Sequence, residues 1–415
     1  MEQNKNTCNQ NFSTNRRNLI KTGILGIGAT LALSGCDKKE DNLSKLEIKP
    51  KQTEMYEFSC PLPFNFKTID EIVELNSTLK KSKVTTFYNN IPLPLADNYD
   101  CWIKIVRGKN EDIKSYDDFF KYVKYAADKG FKFTYLMNSP KPFSERDFLT
   151  FKDDVYYLLD YLDKTGCHDI KVANTQVAQL INEYAPDKFN LHVSTAFEYH
   201  NISQYKYLFN NYPNFNLIDI TNDENHNFKL LKALRENFAN IKLELMVNQA
   251  CIKGCPARIS HLSINDFFVF DCQKLRKDMK ELHFFLKTGV IYPWNLEYYS
   301  SLGINNFKIV IAAMNNGKNN FRDISILKSY LEAVEYGVDD MTVKAFFTKI
   351  FTSMRRTDIA NSKISQSLKM QEIMHLFPNI KHFIAHGHEC SAKCGIECNY
   401  CYEYSKKIEE KLIKS

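Results

Sequence analysis

Short apolar, β-branched and aromatic runs recur along the chain, separated mostly by stretches in which apolar residues return every third or fourth position. Eight runs read as strands: Met55–Ser59, Lys83–Asn89, Lys132–Asn138, Asp169–Asn174, Asn190–Thr195, Phe215–Thr221, Ile241–Val247 and Asn306–Ile311. Ile69–Lys80, Tyr116–Lys129 and Asp147–Lys164 between them carry the amphipathic pattern of helices. Strand–helix alternation implies parallel strands joined by crossover helices. Eight strands predict an α/β fold closed into a (β/α)8, TIM-barrel-like domain over residues 55–318, although a doubly wound open sheet gives the same alternation. After Asn315 the pattern turns helical at Ile324–Tyr336 and Val343–Thr352, and a charged helix, Glu403–Lys414, closes the chain. Residues 319–415 are therefore expected to form a small helical, cysteine-rich C-terminal appendage.

The first 54 residues follow a different pattern. Arg16, Arg17 and Lys21 precede an uncharged stretch from Thr22 to Gly35. That stretch is shorter than the ~20 residues that span a bilayer core. The paired arginines resemble a twin-arginine export signal, and Leu33-Ser34-Gly35-Cys36 resembles a lipobox whose cysteine is lipidated after cleavage. Asp37 behind it resembles the retention signal of inner-membrane lipoproteins. Residues 1–35 are thus expected to be a signal peptide, Cys36 a lipid-anchored N-terminus on the outer face of the cytoplasmic membrane, and 36–54 a solvated tether rich in Lys, Glu and Asp. An uncleaved anchor is the alternative. Removing the leader lowers the net charge from +6 to +3, with 51 basic against 48 acidic residues. So small a bias, without basic–aromatic interleaving, gives no expectation of nucleic acid.

The chemistry lies in the cysteines. Cys390, Cys394, Cys398 and Cys401 fall within twelve residues, in HECSAKCGIECNYC, and Cys251, Cys255 and Cys272 form a second set that begins in NQACIKGCPARISH. Thiolates so spaced can converge on one soft metal centre, an iron–sulfur cluster or zinc. Disulfides are the competing use in an oxidising compartment, since ten cysteines besides Cys36 remain after cleavage. Loops of three or four residues, however, gain little from cross-linking. Zinc would suit the C-terminal run with help from His386 or His388, but one compact loop is closer to the spacing of ferredoxin-like clusters. Cys101 and Cys167 read as buried apolar thiols.

In a barrel, chemistry sits at the C-terminal ends of the strands. Cys251 and Cys255 follow the seventh strand and fall on that face, and Cys60, read as following the first, shares the rim. Arg258 can clamp a substrate carboxylate or serve an ion pair; His261 can donate a proton, ligate or remain structural. Glu244 reads as part of a polar layer inside the barrel, and His192 and Asp219, on strands five and six, could point inward and reach a ligand.

The segment Asn248-x-x-Cys251-x3-Cys255-Pro256-x-Arg258-x-x-His261 resembles the signature of the collagenase-like peptidase family of unassigned catalytic type. YPWNLEYYSSLGINNFKI is similar to the turn and strand that follow it in that family. The resemblance covers about residues 55–405. It implies a barrel carrying a cysteine-bound 4Fe–4S cluster, with Cys251, Cys255 and Cys272 as ligands. On the residues themselves, the C-terminal run would hold a second cluster or zinc, and Arg258 and His261 are the catalytic candidates. At the position of the family's fourth ligand stands Glu297, so the fourth ligand is expected from elsewhere, with Cys60 first and Glu297 and Cys101 behind it, or to be a substrate or water. The Gly-Arg after the last strand is also missing, since Ile309 leads into Val310.

Two function classes remain open. One is a redox enzyme acting without oxygen on a small organic or anionic substrate, served by a redox partner. The other is a membrane-tethered electron carrier or maturation factor without turnover. A zinc-stabilised hydrolase is the weaker alternative, because no Ser/His/Asp arrangement is legible.

Overall fold

The computed structural model describes residues 48–49, 51–90, 113, 115–140, 144–249, 251, 253–263, 288–310, 324–337, 399–403 and 406. Eight parallel strands close into a barrel in sequence order: β1 Tyr56–Pro61, β2 Ser82–Asn89, β3 Lys132–Met137, β4 Asp169–Val172, β5 Asn190–Val193, β6 Phe215–Ile220, β7 Lys242–Met246 and β8 Asn306–Lys308. β8 pairs with β1 through Glu57–Asn306, Phe58–Phe307 and Ser59–Lys308. Closure excludes the open doubly wound sheet.

Each strand was legible because one set of alternate residues is apolar and faces a helix. Phe58, Phe87, Ile170, Val172, Leu191, Ile218, Leu243, Leu245 and Phe307 are all buried without residual exposure. They pack under α1 Phe66–Thr78, α2 Tyr116–Asp128, α3 Glu145–Lys164, α4 Thr175–Tyr184, α5 Ile202–Asn211 and α6 Phe228–Asn237. Side-chain caps begin five of these six helices. Asn65, Ser115, Asn174 and Asn227 accept one backbone amide each, and Asn201 forms a capping box with Gln204. Short α7 Arg258–Ser263 and α8 Leu296–Ser300 lie between β7 and β8.

The inward set is polar. Lys171 Nζ donates to Asp219 Oδ2 at 2.8 Å and Glu244 Oε2 at 2.7 Å, Lys308 Nζ donates to Asp219 Oδ2 at 2.9 Å, and Ser59 Oγ donates to Glu244 Oε1 at 2.7 Å. These bonds join β4, β6, β7, β8 and β1 across the barrel, so Glu244 and Asp219 occupy the interior layer expected of them. Burial opposes charge on Glu244, but Lys171 and Lys308 outweigh it and hold the carboxyl at about 2. His192 is also buried, on β5, with Nε2 3.7 Å from Asp169.

Helix α9, Ser325–Tyr336, continues the alternation after β8. Leu327, Tyr330 and Leu331 are fully buried in the same core. The Tyr330 hydroxyl donates to the carbonyls of Val247 and Ile291. Glu335 accepts the amides of Lys80 and Lys81 at 2.9 and 2.8 Å. This helix therefore covers the barrel, although it falls within the span expected to form an appendage from residue 319. It packs beside β2 and the turn at Pro293–Asn295, where it buries part of the barrel's apolar outer face. The expected helices 343–352 and 403–414 fall on residues largely outside those described, as do the signal segment, Cys36 and most of the tether. Among the described residues no helix is long and apolar enough to cross a membrane.

Candidate functional site at the C-terminal rim

The loops that leave β5, β6 and β7 build one connected site. β7 ends in a fixed position. Asn248 donates Nδ2 to Val310 O at 2.6 Å and accepts Val310 N at 2.7 Å, clamping the exits of β7 and β8 together. Asn225, fully buried, donates to Met246 O at 2.8 Å and Gly289 O at 2.6 Å. Position 289 takes only glycine, because a Cβ there would lie 2.2 Å from the carbonyl oxygen of Asn222.

From this clamp the chain runs through Gln249 to Cys251 and Cys255, both half-buried. Gly254 turns the loop with φ of +67°, a left-handed conformation that costs glycine nothing. Its amide donates to Asp223 Oδ2 at 2.7 Å. The other oxygen of Asp223 accepts from Arg258 Nη2 at 2.5 Å, while Arg258 Nη1 donates to Glu198 Oε2 at 3.1 Å. One arginine on α7 thus ties together the loops after β5 and β6. Glu198 itself is a non-glycine residue at φ 51°, closing a 3-10 turn at Thr195–Phe197, a strained position of the kind that collects at functional sites. Thr221 Oγ1 donates to its other oxygen at 3.2 Å. Next to it His200 Nδ1 lies 2.9 Å from Glu224 Oε1, and Asn227 donates to Glu224 Oε2 at 2.7 Å.

The electrostatics follow from burial opposed by partners. Burial raises the Cys251 thiol; a hydrogen bond from Gln249 Nε2 at 2.9 Å and the Arg258 charge pull it down, while Cys255 and Asp223 push it back up. The net result is upward, so without a metal it stays a thiol at neutral pH. Desolvation raises Glu198 against the opposing pull of Arg258. Hydrogen bonding to Glu224 raises His200. Both groups are thus raised, and His200 Nε2 lies 3.8 Å from Glu198 Oε2.

Three residues singled out from sequence, Cys251, Cys255 and Arg258, meet here. Of the two roles open to Arg258, the geometry shows the ion pair: its guanidinium, 7% exposed, is held by two carboxylates of the chain itself and ties the loops together. His261 lies on α7, one turn beyond Arg258; its side chain is outside the described residues, as are Cys272, Cys390, Cys394, Cys398 and Cys101.

The remaining candidates do not join the site. Cys60 is inside β1, not after it. Its side of the strand is the helix-facing one, where it is fully buried in the apolar core and burial alone pushes its thiol far up. Glu297 is exposed in the first turn of α8. Its carbonyl accepts from Lys51, and its charge acts on Tyr56, where β1 begins, at the other end of the barrel from the cysteines. Cys167 is a buried apolar thiol, as expected. Cys401 is buried within the helical residues 400–403. Among the described residues no three His, Cys, Asp or Glu side chains converge to hold a metal ion.

Sequence reasoning missed Gln249, Glu198, His200, Asp223 and Glu224. The available signal was position: four of them stand within a few residues of the end of β5 or β6, on the face where barrels place their chemistry.

No family model matches the chain. A segment of 80 residues is 35% identical to an uncharacterized protease of Methanocaldococcus jannaschii, covering 16% of this chain and 23% of that relative. The chain therefore matches less than a quarter of that relative's length. A solved U32 peptidase aligns with 64% of this chain and 95% of its own at 13% identity and a TM-score of 0.40. A family 5 glycoside hydrolase from Prevotella bryantii aligns with 70% of this chain and 99% of its own at 10% identity and a TM-score of 0.33. At these scores neither likeness bears on activity.

Proposed function

We propose that this chain belongs with the collagenase-like, U32-type peptidases and is an iron–sulfur redox enzyme working without oxygen on a small organic molecule. The observation that carries the reading is the pairing of Cys251 and Cys255 on one glycine-turned loop at the C-terminal mouth of the barrel, with Cys255 near enough to act electrostatically on Cys251. Two soft thiols, a side-chain amide aimed at one sulfur and a buried charged frame fit a cluster. Cys251 and Cys255 would hold it, with Cys272 as the third ligand by family resemblance. Bound there, a 4Fe–4S cluster would supply single-electron transfer. A second cluster or zinc would occupy Cys390, Cys394, Cys398 and Cys401.

The chain's own groups support an enzyme over a simple carrier. Glu198 and His200 provide a carboxyl and an imidazole able to hold or release a proton at the rim, and His200 is 44% exposed. An electron carrier needs no such pair. The anionic substrate first expected of Arg258 finds no support, since Glu198 and Asp223 neutralise it. A cysteine-peptidase reading is disfavoured, because a nucleophilic thiol needs a lowered pKa and that of Cys251 is raised. In this proposal the protein is exported and lipid-anchored through Cys36 at the outer face of the cytoplasmic membrane.

The test is iron, zinc and acid-labile sulfide content, with a visible spectrum, on anaerobically purified protein and on a Cys255→Ser variant. About four or eight irons with matching sulfide, reduced in the folded variant, support the reading. Zinc without sulfide sinks it.

A further inference from the structure

We propose that Gln249 is the residue that sets the reduction potential of the metal centre at Cys251, acting through its side-chain amide on the sulfur. The inference rests on the iron–sulfur reading above and adds a role that the ligand motif leaves undefined.

Gln249 Nε2 donates to Cys251 Sγ at 2.9 Å. The contact is built, because both ends are held. Asn248, immediately before it, is locked to Val310 by two hydrogen bonds, of 2.6 and 2.7 Å. On the far side, the loop is tied down by Gly254 to Asp223. Gln249 is half-buried, so its amide meets the sulfur with only partial competition from water. Glutamine's length lets its amide fold onto a sulfur two residues ahead; asparagine is one methylene shorter.

A sulfur that binds iron carries negative charge, and that charge grows when the centre gains an electron. A hydrogen bond to the sulfur therefore stabilises the reduced state more than the oxidised one and raises the potential. The amide is neutral and cannot release a proton at working pH, so the effect should not vary with pH. The Arg258 charge acts in the same direction, but Asp223 and Glu198 neutralise it. Among the described residues the Gln249 amide is then the donor placed to tune the sulfur directly.

The experiment is an EPR-monitored redox titration of the anaerobically purified full chain and of Gln249→Leu and Gln249→Glu. Dithionite supplies one electron and ferricyanide takes it back, with no bond made or broken. Gln249→Leu removes the donor. Gln249→Glu keeps the shape but places a carboxylate acceptor against the sulfur. The expected result is unchanged iron and sulfide in both variants. At fixed potential the ratio of reduced to oxidised centre falls about tenfold in the leucine variant, equal to about 59 mV for one electron, and falls further in the glutamate variant. Potentials equal to that of the unsubstituted protein overturn the proposal. So does loss of iron in both variants, which would make Gln249 a retention residue. If the unsubstituted protein itself holds no iron and sulfide, the iron–sulfur reading fails first and takes this inference with it.

Discussion

Removing the carboxylate of Asp223 should destabilise the whole C-terminal rim, and its cost can be worked from the structure. Asp223 and Arg258 are each 7% exposed, and the carboxylate serves two donors, Arg258 Nη2 and the Gly254 amide. Breaking a buried pair by deleting one partner costs about 3–5 kcal/mol, because an uncompensated charge stays behind. Glu198 still neutralises Arg258 from 3.1 Å and is 17% exposed, which places the charge cost at the low end, about 2–3 kcal/mol. The Gly254 amide left without its acceptor adds about 1 kcal/mol. Asp223→Leu should therefore cost about 3–4 kcal/mol, a large share of the roughly 5–15 kcal/mol that holds a domain folded. Asp223→Asn, which keeps an acceptor for Gly254 but loses the charge, should cost about half of that. The double variant Asp223→Leu/Arg258→Met removes both charges, and Glu198, already raised by burial, keeps His200 as a neighbour. Its cost should fall short of the summed single costs by about 2 kcal/mol, within the range of direct contacts. Urea unfolding of metal-free, reduced protein at pH 7, followed by circular dichroism, reads these differences as shifts of the midpoint at constant slope. An Asp223→Leu variant within 1 kcal/mol of the parent, or strict additivity in the double variant, would refute the reasoning.

Other consequences are as specific. His226 is buried, with Nδ1 2.9 Å from the Tyr299 hydroxyl; burial first, then the Lys253 charge, lowers it to about 3. Below pH 6.5 the unfolded chain gains a proton that the folded one refuses, so stability is lost as pH falls from 6.5 towards 3, by on the order of 4–5 kcal/mol at the lower end. His226→Gln should flatten that part of a urea-midpoint-against-pH curve, and an unchanged slope would contradict the assignment. Gly289→Ala should cost more than 2 kcal/mol, since its Cβ meets Asn222 backbone 2.2 Å away; thermal unfolding within a degree of the parent would count against the close approach. Among the described residues, Lys171→Met leaves Asp219 with Lys308 and Glu244 with Ser59 as hydrogen-bond partners, and should destabilise by about 3–5 kcal/mol at pH 7. Part of that loss should be recovered at pH 5 as the buried Glu244 carboxyl, no longer held down by Lys171, takes a proton, which the same midpoint measurement checks.

The barrel was legible in the sequence because its causes are local. Alternate apolar residues in runs such as DIKV and KLELM mark strands that face helices, and the intervening patterns are long enough for crossovers; each expected strand appears, with its ends displaced by at most three residues. Cys251, Cys255 and Arg258 were legible for the same reason, since a short loop and the first turn of a helix keep near neighbours in sequence near in space. What surrounds them was not. Arg258 meets Asp223 across 35 residues and Glu198 across 60, separations that only the lateral pairing of β5, β6 and β7 brings to hydrogen-bonding distance. Cys60 and Glu297 show the converse. As residue types both suited a ligand, but strand parity turned one into the core, and the direction of a short helix placed the other at the opposite end. Spacing and periodicity thus determined which elements form and in what order. Burial and partnership depend on which faces the closed barrel turns inward, and these alone decided that the arginine frames the cysteine loop and that a glutamine, unremarked as sequence, lies against its sulfur.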